Sequence, residues 1–197
     1  MAALVGLLTA LTLGACSSGG ASTFDPQAPC STDGQRPGAY PELEAVLPAA
    51  FEGAAPKRLD SGRNCSEGAL GTLVGHGVEE LRFAGALWET GSRSGVTVAV
   101  FTAPGLTASQ VAEFYEAGAR AARKTENVTT SPIRVGGVEG HRLDTLNDES
   151  FQTIVVLDSR DGEIVHAVLV ASDVREIQTL EAHEAVVRRA VGLVIPR

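Results

Sequence analysis

The residues that could do chemistry in this chain lack the spacing of known catalytic motifs. Gly91-Ser92-Arg93-Ser94-Gly95 has arginine where a nucleophile elbow needs serine. His183-Glu184 continues to Val187, where a zinc-binding helix needs a second histidine. The sequence also has no Ser-x-x-Lys pair and no glycine-rich phosphate loop. We therefore predict no enzymatic activity, no catalytic residue and no cofactor, and a cell-envelope hydrolase is the least favoured alternative.

Two groups of residues offer metal ligands without the usual spacing. A structural zinc needs four ligands, and no close pair occurs among His76, His141, His166 and His183. His141 and His166 lie on different predicted strands, so they could meet across a sheet. A second group lacks the alternating aspartates of a calcium loop: Asp144, Asn147, Asp148 and Glu149. We predict hydrogen-bonded histidines, a solvated hairpin connection and no metal site.

The charge of the chain limits its partners. The sequence has 24 acidic and 16 basic residues, a net charge of -8, and Lys57 and Lys124 are its only lysines. Nucleic-acid binding needs a cationic surface, and this composition gives none. Nucleic acid is therefore excluded as an expected partner.

The N-terminal segment predicts export and a lipid anchor. Residues 2–15 are uncharged and span about 21 Å as a helix, less than the roughly 30 Å hydrocarbon core, which favours a signal peptide over residues 1–15. Leu13-Gly14-Ala15-Cys16 resembles the lipobox of bacterial lipoproteins. The resemblance implies cleavage before Cys16, acylation of its thiol and attachment to the outer face of the bacterial cell membrane. The alternative is a small buried cysteine in an N-terminal helix.

The other two cysteines predict a disulfide. With Cys16 acylated, Cys30 and Cys65 remain, and two cysteines in an exported protein most simply pair. A catalytic thiol is the alternative, although no histidine-rich signature accompanies either residue. Residues 16–40 then form the lipidated cysteine, a Ser/Gly tether and an arm held by Cys30, and residues 41–197 form a single domain.

The hydrophobic patterns predict two hairpins, one further strand and two long helices. The hairpins are expected at 81–101 and 151–171, the single strand at 138–146, and the helices at 107–124 and 173–194. Thr107 with Gln110, and Asp173 with Glu176, have the spacing of capping boxes. Short helices are expected after Pro41 and after Ser66. The fold class is α+β, an antiparallel sheet of about five strands packed with helices.

The order of elements from 78 to 195, with Val135-Gly136-Gly137-Val138 introducing the single strand, is similar to PsbP-like domains and to LpqN-like mycobacterial lipoproteins. The resemblance implies a PsbP-like sandwich that binds proteins or small ligands. It carries no catalytic residue onto this chain.

Two binding functions remain open. The favoured one is a lipid-anchored, non-enzymatic domain that binds an envelope protein or ligand, and the alternative is a carrier with an apolar cavity between sheet and helices. Gly118 is expected on the inward face of the 107–124 helix, which predicts close contact between that helix and the sheet. The aromatic residues suit a plain core or a cavity wall: Phe83, Trp88, Phe101, Phe114 and Phe151.

Overall fold

The computed structural model describes residues 24–30, 33–147 and 149–195. The predicted leader, the lipidation residue Cys16 and most of the tether lie outside these residues. Within the described ranges, no helix has the length and apolar character needed to cross a membrane.

The described part of the chain forms one sheet of eight strands, in which all neighbours are antiparallel. The strands are β1 (Asp33–Arg36), β2 (Arg58–Asn64), β3 (Leu81–Glu89), β4 (Gly95–Thr102), β5 (Thr125–Val135), β6 (Val138–Asn147), β7 (Ser150–Asp158) and β8 (Val165–Asp173). Their order across the sheet is β1-β2-β3-β4-β8-β7-β6-β5. The two predicted hairpins are confirmed as β3–β4 and β7–β8, and the predicted single strand is β6.

Helices cover both faces of this sheet. They are α1 (Pro41–Glu44), α2 (Glu67–Leu70), a 3-10 helix (Gly71–His76), α3 (Ala108–Ala121) and α4 (Leu180–Val191). The predicted capping box of α3 is confirmed, because Gln110 N donates to Thr107 Oγ1 and Thr107 N donates to Gln110 Oε1 at 3.4 and 3.0 Å. The short helices predicted after Pro41 and Ser66 are confirmed as α1 and as α2 with its 3-10 extension.

The two sheet faces carry separate cores. On one, which we call the α3 face, Val156 and Val165 pack with Leu73 of the 3-10 helix and Val111 of α3. On the other, which we call the α4 face, the core joins α1 and α4 to alternate residues of the same strands: Trp88, Val98, Val155, Val168 and Val170. β8 lies between β4 and β7. Its side chains are apolar on both sides of the strand, so it contributes to both cores.

The predicted fold class, a sheet of about five strands packed with helices as a PsbP-like sandwich, is wrong. The described residues add β1, β2 and β5 to the strands that were predicted. β5 lies at the edge of the sheet and contains Pro132, which an edge strand tolerates. Because none of its residues is buried, its sequence lacks the alternation that marks a half-buried strand. β2 includes a glycine and three charged side chains, and β1 spans four residues, so neither has a strand-like sequence pattern.

The last helix begins later than predicted. Asp173 ends β8, and α4 begins after Thr179, whose hydroxyl accepts from Ala182 N at 3.2 Å. The capping box expected from Asp173 and Glu176 is wrong, because Glu176 instead accepts hydrogen bonds from Ser92 at the β3–β4 turn. These bonds, and that of the Ser94 hydroxyl, lower the pKa of Glu176 to about 2.

Candidate functional site

A surface cleft lies between α2, the start of the 3-10 helix, α3 and β7, and has a volume of about 710 Å³. We call it the α2–α3 cleft. Its wall from α2 and the 3-10 helix consists of Gly68, Ala69, Gly71 and Thr72. The opposite wall follows α3 and the residues just after it: Phe114, Tyr115, Ala117, Gly118, Ala119, Ala121, Ala122 and Thr125. Gln152 and Ile154 of β7 complete the lining.

The local sequence holds the two walls apart. Leu70 and Leu73 are buried beneath one wall, and Val111 and Ala112 fix α3 to the sheet one turn before the other. The residues between these anchors and the solvent are mostly glycine and alanine, whose side chains do not fill the space. The cleft therefore forms where small residues on two helical segments face one another.

Gly118 does not lie where the sequence predicted. It is exposed, and a Cβ built on it would meet nothing within 4 Å. The expected tight contact between this glycine and the sheet is therefore wrong, because α3 directs Gly118 toward the cleft. A larger side chain at this position would enter the cleft without a clash.

Two aromatic side chains, Phe114 and Tyr115, line the cleft. The Tyr115 ring lies 5.6 Å from Phe114 and 6.4 Å from Phe101 of β4, both in edge contacts. Burial raises the pKa of Tyr115 to about 12, so its phenol is neutral at physiological pH. Phe114 also contacts Gly71, where a Cβ would lie 3.3 Å from the ring. The aromatic part of the lining is therefore apolar and uncharged.

A buried polar network connects α4 to the sheet. Thr153 Oγ1 donates to the Asp144 carboxylate at 2.6 Å, so the same oxygen accepts from His183 Nε2 at 2.9 Å. His183 Nδ1 is then the acceptor for the Ser172 hydroxyl at 2.8 Å. Arg142 pairs with Asp144 at 2.7 Å and with Glu184. Burial alone would raise the pKa of Asp144. The hydrogen bonds from Arg142 and Thr153 outweigh this effect and hold the pKa of Asp144 below its usual range.

Ser172, His183 and Asp144 follow one another in this network in the order of nucleophile, base and carboxylate in a serine hydrolase. A substrate cannot reach them, however. Ser172 and His183 are each 1% exposed, and the Thr153 hydroxyl separates His183 from Asp144. Burial lowers the pKa of His183, which favours the neutral ring that this chain of hydrogen bonds requires. We assign the network to holding α4 on the sheet.

The structure separates the other histidines. His141 is opposite Val156 and therefore lies on the α3 face, whereas His166 is opposite Leu157 and lies on the α4 face. The possibility that these two meet is wrong, because their strand register places them on opposite sides of the sheet. His76 pairs with Glu113 at 2.9 Å.

The acidic group is also divided. Asp144 belongs to the buried network, and Glu149 pairs with Arg175 and, at 3.4 Å, with Arg93. The side chains of Asn147 and Asp148 lie outside the described residues. Asp144 and Glu149 are thus both paired with arginine side chains, which would compete with a metal cation for these carboxylates.

Cys30 and Cys65 form a disulfide with their Cα atoms 5.9 Å apart. The same two residues and Glu80 group together as possible metal ligands, but sulfurs joined in a disulfide do not bind a cation as thiolates. Beside them, buried Arg63 donates to the carbonyls of Pro26 and Ala28 at 3.1 and 3.0 Å. The disulfide and Arg63 together attach the 24–30 arm to β2.

The aromatic residues singled out in the sequence do not line one cavity. Trp88 is buried on the α4 face and donates to the Ala54 carbonyl at 3.1 Å. Phe151 packs near His183, with 5.9 Å between the rings, and Phe83 and Phe101 lie side by side on β3 and β4. Of the five, only Phe114 is among the described residues of the cleft wall. Sequence analysis missed Thr72 and Tyr115, although the Ala and Gly residues at 117–119 and 121–122 were a visible signal for an unfilled helix face.

Comparison with known proteins gives little further information. No family model matches the chain, and no curated protein is detectably similar. A solved structure from Pseudomonas aeruginosa, the protein of unknown function PA94, is 14% identical with a TM-score of 0.40. The similarity covers 58% of this chain and 83% of the Pseudomonas chain.

Proposed function

We propose that this chain is a non-enzymatic binding domain, exported and anchored to the outer face of a bacterial cell membrane through lipid on Cys16, that holds an apolar ligand in the α2–α3 cleft. The observation that carries the proposal is the open space at Gly118, in a cleft lined by small residues and by the Phe114 and Tyr115 rings. Apolar contacts in such a site are worth about 25 cal/mol for each Å² removed from water. The lipid anchor remains a proposal from the lipobox-like sequence.

A second function, docking of an envelope protein, is favoured by the sheet surface beside the cleft. On the α3 face, α3 packs mainly on β5, β6 and β7. The neighbouring surface of β3, β4 and β8 has half-exposed apolar side chains: Phe83, Leu87, Ala99 and Leu169. Apolar surface of this kind marks protein interfaces when it is extensive.

A hydrocarbon fluorophore tests the ligand-binding proposal. Diphenylhexatriene should bind to the purified domain with an increase in fluorescence, and Gly118→Leu should weaken binding by at least about tenfold, because the leucine occupies the cleft. Gly118→Ala is the matched control, since it makes the same gain in helix propensity while adding one methyl group.

The position of the ligand is tested by a variant outside the cleft. Leu87→Gln, on the neighbouring sheet surface, should leave diphenylhexatriene binding unchanged. Equal binding to the wild type, Gly118→Ala and Gly118→Leu would contradict a cleft site. Loss of binding in Leu87→Gln alone would move the site to the sheet surface and favour the docking function.

A further inference from the structure

We propose that Cys30, Cys65 and Glu80 form a redox-gated metal site, which a dithiol reductant opens by cleaving the disulfide and which then binds a divalent cation of the zinc class. Two thiolates and one carboxylate would hold the cation. The three candidate ligand atoms, one from each residue, lie within 4.8 Å of one another. This inference does not depend on the ligand of the α2–α3 cleft.

The strand register brings Cys65 and Glu80 together. Asn64 at the end of β2 is opposite Leu81 at the start of β3. Cys65 directly follows β2 and Glu80 directly precedes β3, so the two residues leave the sheet side by side. Both residues and Cys30 are half-buried and belong to neither core, so the group lies at the surface of the domain.

Contacts other than the disulfide keep Cys30 close to Cys65. The buried guanidinium of Arg63 donates to three main-chain carbonyls of the 24–30 arm: those of Asp25, Pro26 and Ala28, at 3.3, 3.1 and 3.0 Å. A buried guanidinium that lost these acceptors would be strongly unfavourable, so we expect the arm to stay on β2 when the disulfide is cleaved. The two thiols are then released beside one another.

Reduction supplies the sulfur ligands. One thiolate of the dithiol attacks a sulfur of the disulfide, and the second thiolate of the reductant resolves the mixed disulfide. The reductant leaves as a cyclic disulfide, having given two electrons and two protons to Cys30 and Cys65. A cation then displaces the two thiol protons as it binds. The disulfide form and the metal-bound form therefore exclude one another.

The ligand set selects the class of cation. Two thiolates with one carboxylate favour zinc, whereas calcium and magnesium prefer oxygen ligands. With Zn–S and Zn–O distances of about 2.3 and 2.0 Å, tetrahedral ligand atoms are roughly 3.5 to 3.8 Å apart, which the grouping within 4.8 Å accommodates. Rotation about the Cα–Cβ bond of either cysteine brings the sulfurs to this spacing with the Cα atoms still 5.9 Å apart.

The charges around Glu80 differ from those around Asp144 and Glu149. Glu80 Oε1 accepts from Arg82 Nε at 2.6 Å, whereas Glu80 Oε2 lies 3.4 Å from the nearest Arg63 nitrogen, a long contact that leaves this oxygen able to bind a cation. Reduction adds two sulfur ligands that become anionic on metal binding, which the Asp144 group lacks. The two guanidinium groups then offset the excess negative charge of the ligands and orient the carboxylate.

Cadmium titration of the reduced protein tests the inference, because Cd²⁺ is a soft, zinc-like probe whose thiolate complexes absorb in the ultraviolet. The full-length chain carries Cys16→Ser in every sample, so that only Cys30 and Cys65 can respond. Protein reduced with dithiothreitol, and freed of it under nitrogen, should bind a single Cd²⁺ per chain with thiolate-to-metal absorption. The oxidised protein should show no such absorption, and Zn²⁺ should displace Cd²⁺ from the reduced protein.

Glu80→Gln, which keeps both cysteines, should weaken Cd²⁺ binding to the reduced protein by at least about tenfold. Glu79→Gln is the matched control, since Glu79 is an exposed neighbour outside the ligand group and its loss should leave binding unchanged. No thiolate absorption in the reduced protein, or equal affinity in Glu80→Gln and the parent, would overturn the inference. Circular dichroism checks each reduced sample, and loss of the native spectrum on reduction would also overturn it, because the arm would no longer hold Cys30 in place.

Discussion

Two histidines, buried His183 and half-buried His166, couple the stability of the protein to pH. Burial lowers the pKa of His183 and of His166, so the unfolded chain binds protons more readily than the folded chain. Above about pH 6.5 both states hold neutral histidines, and the difference disappears. As the pH falls below that value, the free energy of unfolding should decrease by up to about 1.4 kcal/mol per pH unit for each histidine.

His183→Gln tests this coupling. The variant should be less stable than the wild type at neutral pH, because it breaks the bonds to Ser172 and Thr153, but its stability should fall less steeply between about pH 6.5 and 5. Urea denaturation at a series of pH values measures the slope. His166→Gln should reduce the slope in the same way, and a slope that both variants leave unchanged would contradict the account of buried neutral histidines.

Two glycines, Gly140 and Gly118, differ in the space available for a side chain. A Cβ on Gly140 of β6 would collide with the Val156 carbonyl and the Leu157 side chain, whereas a Cβ on Gly118 of α3 would enter open space. Gly140→Ala should therefore lower the free energy of unfolding by about 1 to 3 kcal/mol. Gly118→Ala should raise it by up to about 1 kcal/mol. Denaturation midpoints compare the two, and a destabilised Gly118→Ala would show that α3 packs more tightly than this structure has it.

Elements with strong sequence patterns were predictable, and polar elements were not. The β3–β4 hairpin alternates buried and half-buried residues, and α3 has both a capping box and a buried stripe, so each was expected from sequence. β5 could not be expected, because an edge strand with exposed polar side chains and Pro132 has no such pattern. The cleft was missed for a related reason: helical periodicity places Gly118 on a face, but it does not show whether the neighbouring element covers that face.

The 24–30 arm is part of the folded molecule through Cys30 and Arg63. The disulfide closes a loop with a sequence separation of 35 residues, for which chain entropy predicts a stabilisation of about 3 to 4 kcal/mol. The double variant Cys30→Ser, Cys65→Ser should lose about this amount in a denaturation experiment. Native protein lacking Cys16 should show no free thiol, and two reactive thiols before unfolding would contradict the disulfide.

The proposed anchor concerns the whole molecule, because it places the domain at a membrane. Cys16→Ser should abolish labelling by a clickable palmitate and release the protein from the membrane fraction, since two or three acyl chains are what make attachment stable. Cys30→Ser is the control, because it removes a cysteine without touching the lipobox-like segment. Undiminished labelling of Cys16→Ser would remove the anchor from the proposal.

The most direct test of the cleft is to map where an apolar molecule binds. Amide chemical shifts of the isotopically labelled domain are recorded during titration with decanol. The account predicts saturable changes concentrated at residues 68–72 and 114–122, with Thr72 among the affected amides. Changes confined to β3 and β4, or no saturable change at the cleft, would contradict it.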